Sequence, residues 1–195
     1  LPGELPLLDH RGQPRSIPFV ADRLDASGKV TEYKTGRPIS GAVKEQTRRK
    51  HLAGKVARGE RLQAIAYAVA QGKPEAEGRF FFVGPSIETE LREYPVAAAD
   101  SSMVASLDRV LRATLEAWDR GSLLPRLVEP NKNEEPSRCR FCEVSAACSR
   151  KDSGLRGRMQ KMVEQWSEVP TSSEVERAWL ALWRLRLGAA GEEGS

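Results

Sequence analysis

The sequence lacks the patterns that mark membrane-spanning and secreted proteins. It has no apolar run near the length needed to cross a bilayer. Its first ten residues, LPGELPLLDH, lack the basic-then-apolar order of a secretory signal peptide. We therefore expect a cytoplasmic protein with no membrane partner. The chain also starts without Met, on a Pro-rich stretch, so we expect it to be part of a longer polypeptide.

Cysteine and histidine are scarce as well. The chain has three cysteines and two histidines, His10 and His51. In a cytoplasmic protein, three cysteines close together favour a metal site over disulfide bonds. Cys139, Cys142 and Cys148 form a C-x2-C-x5-C array, which lacks the fourth ligand that a zinc ion or an iron–sulfur cluster requires. The sequence pattern alone leaves both metals open.

The rest of the composition suits a soluble globular protein. Hydrophobic residues make up 39% and charged residues 30% of the 195 residues, enough for one ordinary domain and an appendage. The chain has a net charge of +4, and its positive charges cluster in residues 37–61, here called the basic segment. This segment holds two acids, and its basic residues are Arg37, Lys44, Arg48, Arg49, Lys50, Lys55, Arg58 and Arg61. It is either a solvated surface loop or a surface that guides an anionic partner.

The pattern of apolar residues predicts an α/β core with a mixed sheet. Two β-rich stretches flank the turn DASG and predict an antiparallel hairpin, and the basic segment, punctuated by glycines, is predicted to be a loop. The predicted elements are strands 17–24 and 29–35, a helix with apolar residues at 62, 65, 66 and 69, strands 78–85 and 89–96, and a helix over 100–121.

Two further helices are predicted beyond the cysteines. The second of them begins with TSSE, a capping-box pattern at Thr171 and Glu174. Their apolar stripes are either packing faces or a partner interface. The stripes consist of Met159, Met162, Val163 and Trp166 in the first helix, and of Val175, Trp179, Leu182, Trp183 and Leu187 in the second.

The hairpin carries an unusual number of charges. Because side chains two apart on a strand point the same way, Glu32 and Lys34 share a face, and Asp22 on the paired strand can lie alongside Glu32. Two adjacent carboxylates repel each other unless a cation lies between them, and Mg²⁺ suits such an oxygen site. A surface ion pair is the simpler alternative for Glu32 and Lys34.

The segments ADRLD, EYKTGRP and GERLQAIAYAVA together resemble the RecB-like branch of the PD-(D/E)xK nuclease superfamily. The resemblance implies a restriction-endonuclease-like core. It places Asp22 and Glu32 at the metal-ligand positions and Lys34 at the catalytic lysine. Gln63 and Tyr67 match the helix motif that in this family helps to position the lysine and the DNA backbone.

The same resemblance implies a Mg²⁺- or Mn²⁺-dependent deoxyribonuclease, expected to be an exonuclease, that acts in double-strand-break repair or recombination. Its expected partners are DNA and a helicase or another repair subunit or domain. The eight basic residues would guide the DNA backbone, because the basic segment has no Phe, Tyr or Trp on which bases could stack. A nuclease-fold module that binds DNA without cutting it is the alternative.

The sequence also departs from the family pattern. Glu32 stands where Asp is more common, and the family's upstream helix, with its His and an extra acid, has no match here. Neither His10 nor His51 is expected to replace it. Asp25 is expected to be structural, and Arg23 to contact phosphate or pair with an acid.

For the cysteines, the resemblance implies a [4Fe-4S] cluster that staples the end of the chain to the nuclease core. Its fourth ligand would be an upstream Cys, and that Cys is missing from this chain. The expected domain organisation is an N-terminal linker or remnant over 1–16, the nuclease domain with the Cys array over 17–150, and a helical extension over 151–195.

Overall fold

The structure is a computed structural model that describes residues 1–122, 142–143, 148 and 152–185. The chain divides into two compact units, one formed by Leu1–Glu116 with Arg184–Ser195 and the other by Ala117–Trp183. Across the described ranges, no helix is both long enough and apolar enough to span a membrane.

The first unit is a mixed α/β fold, which confirms the predicted fold class. Its strands are β1 (Pro2–Leu8), β2 (Pro14–Val20), β3 (Arg23–Leu24), β4 (Val30–Thr35), β5 (Glu77–Val83) and β6 (Glu93–Ala97). The main sheet has the order β3-β4-β5-β6, in which β4 and β5 are parallel and the other neighbours antiparallel. A separate antiparallel ribbon pairs β1 with β2. The helices among the described residues are α1 (Glu45–Ala57), α2 (Gln63–Ala70), α3 (Ser101–Asp119), α4 (Ser153–Glu168) and α5 (Glu174–Leu185), with a 3₁₀ turn at Thr89–Leu91.

The core of the first unit lies between one face of the main sheet and the helices. Phe80 and Phe82 of β5 are completely buried on this face, and they pack in one cluster with Leu52 of α1 and Ile65 of α2. Gly78 lies on the same face of β5, where a Cβ would be 1.9 Å from the Ala64 carbonyl oxygen. The missing side chain therefore allows α2 to lie directly against the strand.

The predicted hairpin is wrong in its first strand. Residues 17–24 do not form one strand, because β2 ends at Val20 and pairs with β1, whereas only Arg23 and Leu24 pair with β4. The expected linker over residues 1–16 therefore contains β1 and the start of β2. Leu5 of β1 is buried in the core, which explains why this Pro-containing segment is held as a strand.

The predicted loop at the basic segment is also wrong, because most of it forms α1. Leu52, Val56 and Ala57 supply the buried stripe of this helix, and its other positions are mostly polar. A stripe this short, interrupted by Gly54, gives a weak periodic signal. The helix α2 is found where it was predicted, but its buried face differs from the predicted stripe and consists of Ala64, Ile65, Tyr67 and Ala68.

The long helix α3 matches its prediction closely. Asp100 caps it, since its Oδ1 accepts the Met103 backbone N–H at 3.2 Å. Gly121 follows with a φ of +63°, a conformation that favours glycine. Trp118 was expected on the buried stripe, but it is 74% exposed.

In the second unit, α4 and α5 pack their apolar stripes against each other. Met159, Trp179 and Trp183 are buried, and the Trp166 and Trp179 rings meet edge to face with centroids 5.3 Å apart. The cap of α5 is two residues later than predicted, because the Ser173 hydroxyl accepts the Glu176 N–H. Leu187 of the predicted stripe lies outside the described residues.

Candidate active site

Three charged residues of the predicted site lie on β4 or next to β3, at the edge of the main sheet formed by these two strands. In the β3–β4 register Arg23 lies opposite Thr31, so continuing it by one residue places Asp22 opposite Glu32. The Tyr33 backbone N–H donates to Asp22 Oδ2 at 2.7 Å. This bond fixes the carboxylate of Asp22 beside β4 although Asp22 lies just outside β3.

Glu32 is held from two sides. The Lys34 ammonium lies 2.6 Å from Glu32 Oε1, and the Tyr67 hydroxyl donates to Glu32 Oε2 at 2.7 Å. The side chains of Lys34 and Glu32 are only 22% and 13% exposed, so this ion pair is shielded from solvent much more than a surface pair. The Glu32–Lys34 pair therefore differs from the surface ion pair considered from the sequence, because it is shielded and Glu32 has Tyr67 as a second partner.

Tyr67 contributes a buried hydroxyl donor from α2. It is 3% exposed. Burial raises its pKa above the usual value, and the hydrogen bond to Glu32 and the negative charges of Glu32 and Asp22 raise it further. The hydroxyl therefore keeps its proton across neutral and moderately alkaline pH and remains a donor to Glu32.

We expect Tyr67→Phe to lower the free energy of unfolding by about 2 kcal/mol at neutral pH, because Glu32 loses a donor in a shielded site. The raised pKa of Tyr67 stabilises the fold only while the unfolded phenol is also protonated. The wild type should therefore lose stability as the pH rises above about 10, and the gap between the two proteins should narrow. Chemical denaturation from pH 7 to pH 11 measures this, and a constant gap would contradict it.

The donor set fits a small divalent cation. Asp22 Oδ1 accepts no hydrogen bond from the described residues, and each Glu32 oxygen has a second lone pair besides the one facing its partner. Carboxylate oxygens and waters are the ligands that Mg²⁺ and Mn²⁺ favour, and Asp22 is exposed to solvent on its side of the pair.

Gln63, Asp25 and Arg23 are the other residues that the sequence motifs single out. Gln63 is the first residue of α2, one turn before Tyr67, and its side chain has no hydrogen-bond partner in the described part of the chain. Asp25 organises the turn before β4, since its Oδ1 accepts backbone N–H groups from Ser27 and Lys29. A hydrogen bond from the Ser27 hydroxyl, together with these backbone bonds, holds the pKa of Asp25 below its usual value. The guanidinium of Arg23 donates to the Tyr33 hydroxyl at 3.4 Å.

The basic segment divides into paired and exposed cations. Arg49 pairs with Asp100 at 2.6 Å and Lys55 with Glu60 at 3.0 Å. Arg48 donates to the Val43 carbonyl at 2.6 Å. The cations whose side chains are exposed without an ion pair to a described residue are Arg37, Lys44 and Lys50.

The loop after β4 is anchored by residues that the sequence did not single out. The Tyr94 hydroxyl of β6 accepts the Ser40 N–H at 3.0 Å and donates to the Ser40 carbonyl at 2.8 Å. The Ser40 hydroxyl lies 2.6 Å from His51 Nδ1. These contacts fix the loop that follows Lys34 at Ser40. They also give the His51 ring a hydrogen-bond partner within the fold.

Two of the three cysteines of the array are among the described residues. Cys142 and Cys148 are free thiols of intermediate exposure. Cys139 lies outside the described residues.

A comparison with protein families matches residues 20–149 to the model of the PD-(D/E)XK nuclease superfamily. The match covers two thirds of the chain and includes Asp22, Glu32, Lys34, Gln63 and Tyr67. Comparisons with curated proteins and with solved structures give no match.

Proposed function

The chain belongs to the PD-(D/E)XK nuclease superfamily, and we propose from this membership that it is a metal-dependent deoxyribonuclease that hydrolyses phosphodiester bonds. One observation carries the proposal. The Glu32 carboxylate is held by Lys34 and Tyr67 and lies opposite Asp22 in the strand register. A shielded carboxylate opposite a solvent-exposed one, with a lysine beside them, can hold a metal ion and serve a phosphate at the same place.

Each residue has a distinct role in the proposed reaction. Asp22 and Glu32 would hold Mg²⁺ or Mn²⁺. When bound, such an ion polarises the phosphodiester and lowers the pKa of water. Lys34 orients the attacking water and offsets the negative charge that builds on the phosphate in the transition state. Tyr67 keeps Glu32 in position, and Gln63 faces the substrate one helical turn away.

The DNA is guided by charge and not by base recognition. Arg37, Lys44 and Lys50 are exposed and available to phosphates, and no Phe, Tyr or Trp lies in the basic segment. Arg49 and Lys55 have acidic partners within the fold, so they would contribute less to DNA binding than an unpaired cation.

The biological setting follows from the resemblance to the RecB-like branch. We infer a cytoplasmic exonuclease in double-strand-break repair or recombination, working as the nuclease part of a helicase–nuclease. The motif EYKTGRP, followed by GERLQAIAYAVA at the family's distance, supports this setting.

Linear DNA labelled at one end tests the function directly. The protein is incubated with single-stranded, double-stranded and covalently closed circular substrates in Mg²⁺, in Mn²⁺ or in EDTA. We expect metal-dependent cleavage of linear DNA, with the circle resistant if the enzyme is an exonuclease. Binding without cleavage in either metal would favour the alternative, a nuclease-fold module that binds DNA without cutting.

The cysteine array makes a separate prediction for the intact protein. Cys139, Cys142 and Cys148, with an upstream Cys, should hold a [4Fe-4S] cluster with a structural role. Protein purified without oxygen should contain about four irons per chain and absorb broadly in the visible range. Zinc in place of iron in the same preparation would contradict the cluster while leaving the nuclease proposal intact.

A further inference from the structure

Arg61 has an unusual backbone conformation for a residue with a side chain. It is the one non-glycine residue in the described part of the chain with a positive φ, at 56°. It lies in the turn between α1 and α2, after Gly59, which also has a positive φ of 76°. An arginine in the left-handed region costs about 1–2 kcal/mol, and such strain is often found at functional sites.

This conformation accompanies a specific position of the guanidinium. Arg61 Cζ lies over the Phe82 ring, 5.7 Å from its centroid. Phe82 is paired in register with Lys34 on the neighbouring strand, so the two side chains lie side by side on the same face of the sheet. Arg61 therefore approaches the face of the sheet that carries Lys34 and Glu32.

The charge of Arg61 has no acidic partner among the described residues. Its neighbour Glu60 pairs instead with Lys55 at 3.0 Å. By contrast, Arg49 and Arg79 each bind a carboxylate, of Asp100 and Glu93 respectively. A half-buried guanidinium that packs on an aromatic ring without a carboxylate keeps its fork of donors for an anion, and phosphate matches that fork well.

We propose that Arg61 is a phosphate-binding residue of the catalytic face, which holds a DNA phosphodiester beside Lys34. This assignment rests on the proposed nuclease function and separates Arg61 from the other cations of the basic segment. Among those, Arg37, Lys44 and Lys50 would attract the DNA backbone from exposed positions. Arg61 would fix one phosphate relative to the site, and the backbone strain at this residue is the cost of that placement.

Three variants test the assignment. Arg61→Gly removes both the cation and the backbone strain, Arg61→Asn removes the cation but keeps a residue tolerant of positive φ, and Lys73→Gln is a control that loses one exposed charge elsewhere. Single-turnover cleavage, DNA binding in EDTA at several salt concentrations, and thermal unfolding are measured for each.

We expect both Arg61 variants to cleave about 100-fold more slowly than the wild type at saturating DNA. In EDTA they should bind DNA more weakly, and the slope of log K against log salt should be smaller by about 1. Guanidinium chloride should partly restore cleavage by Arg61→Gly, whereas the same concentration of NaCl should not. The melting temperature of Arg61→Gly should equal or exceed that of the wild type.

Variants of Arg61 that cleave and bind like Lys73→Gln would overturn the assignment. So would a loss of cleavage that only accompanies a lower melting temperature in both variants. If the wild type cuts no DNA, the nuclease proposal fails. The binding measurements in EDTA then still show whether Arg61 binds a DNA phosphate. Weaker binding by the Arg61 variants than by Lys73→Gln would then support phosphate binding, and equal binding would refute it.

Discussion

Replacing Lys34 with alanine should lower the single-turnover cleavage rate by about 10³-fold while DNA binding changes only a few-fold. The ammonium lies 2.6 Å from Glu32 Oε1, and it is proposed to offset the negative charge on the phosphate, which alanine cannot do. Glu32 keeps the Tyr67 hydroxyl as a donor, so the site should remain folded.

The matched control is Lys29→Ala. Lys29 is only five residues away, but it pairs with Glu77 at 2.9 Å, outside the carboxylate site. We expect this variant to cleave DNA within about twofold of the wild-type rate and to lose at most about 1 kcal/mol of stability. Cleavage by Lys34→Ala at the rate of Lys29→Ala would remove the lysine from the mechanism.

Gly78→Ala should prevent the first unit from folding stably. A Cβ at this position would lie 1.9 Å from the Ala64 carbonyl oxygen and 2.8 Å from its carbonyl carbon. Both atoms belong to the backbone of α2, so relief requires moving the helix that carries Tyr67 away from β5. We expect a loss of about 3–5 kcal/mol, a large part of the stability of an ordinary domain.

The control for this change is Gly41→Ala. A Cβ at Gly41 meets no atom within 4 Å, and its φ is not in the left-handed region. Circular dichroism during thermal unfolding should therefore show a wild-type transition for Gly41→Ala and a strongly lowered one for Gly78→Ala. Equal melting temperatures for the two variants would show that α2 does not lie as close to β5 as described.

The sequence predicted the parts of the fold that have strong local patterns. The alternation in β4 placed Glu32 and Lys34 on one face, and the 3.6-residue period of α3 located that helix and its Asp100 cap. The superfamily was predicted from motifs within residues 17–71 and is confirmed by the match over 20–149. These features depend on residues that are close together in the chain.

Other features depend on distant contacts and could not be predicted. The strand β1 is held because Leu5 reaches the core, and α1 because Leu52 and Val56 do. The buried face of α2 is set by its close approach to Gly78, which the apolar stripe of α2 does not reveal. The contact of Tyr94 with Ser40 joins residues 54 positions apart.

The most direct test of the central claim compares Asp22→Asn with Asp25→Asn in single-turnover cleavage of linear DNA with Mg²⁺. Asparagine at 22 can still accept the Tyr33 N–H but loses the charge that is proposed to hold a cation, whereas Asp25 organises the turn and pairs with Arg79. The account predicts that the wild type cuts, that Asp22→Asn is slower by about 10³-fold, and that Asp25→Asn stays within a few-fold of the wild type while melting at a lower temperature. Wild-type-like cleavage by Asp22→Asn, or no cleavage by the wild type in Mg²⁺ or Mn²⁺, would contradict it.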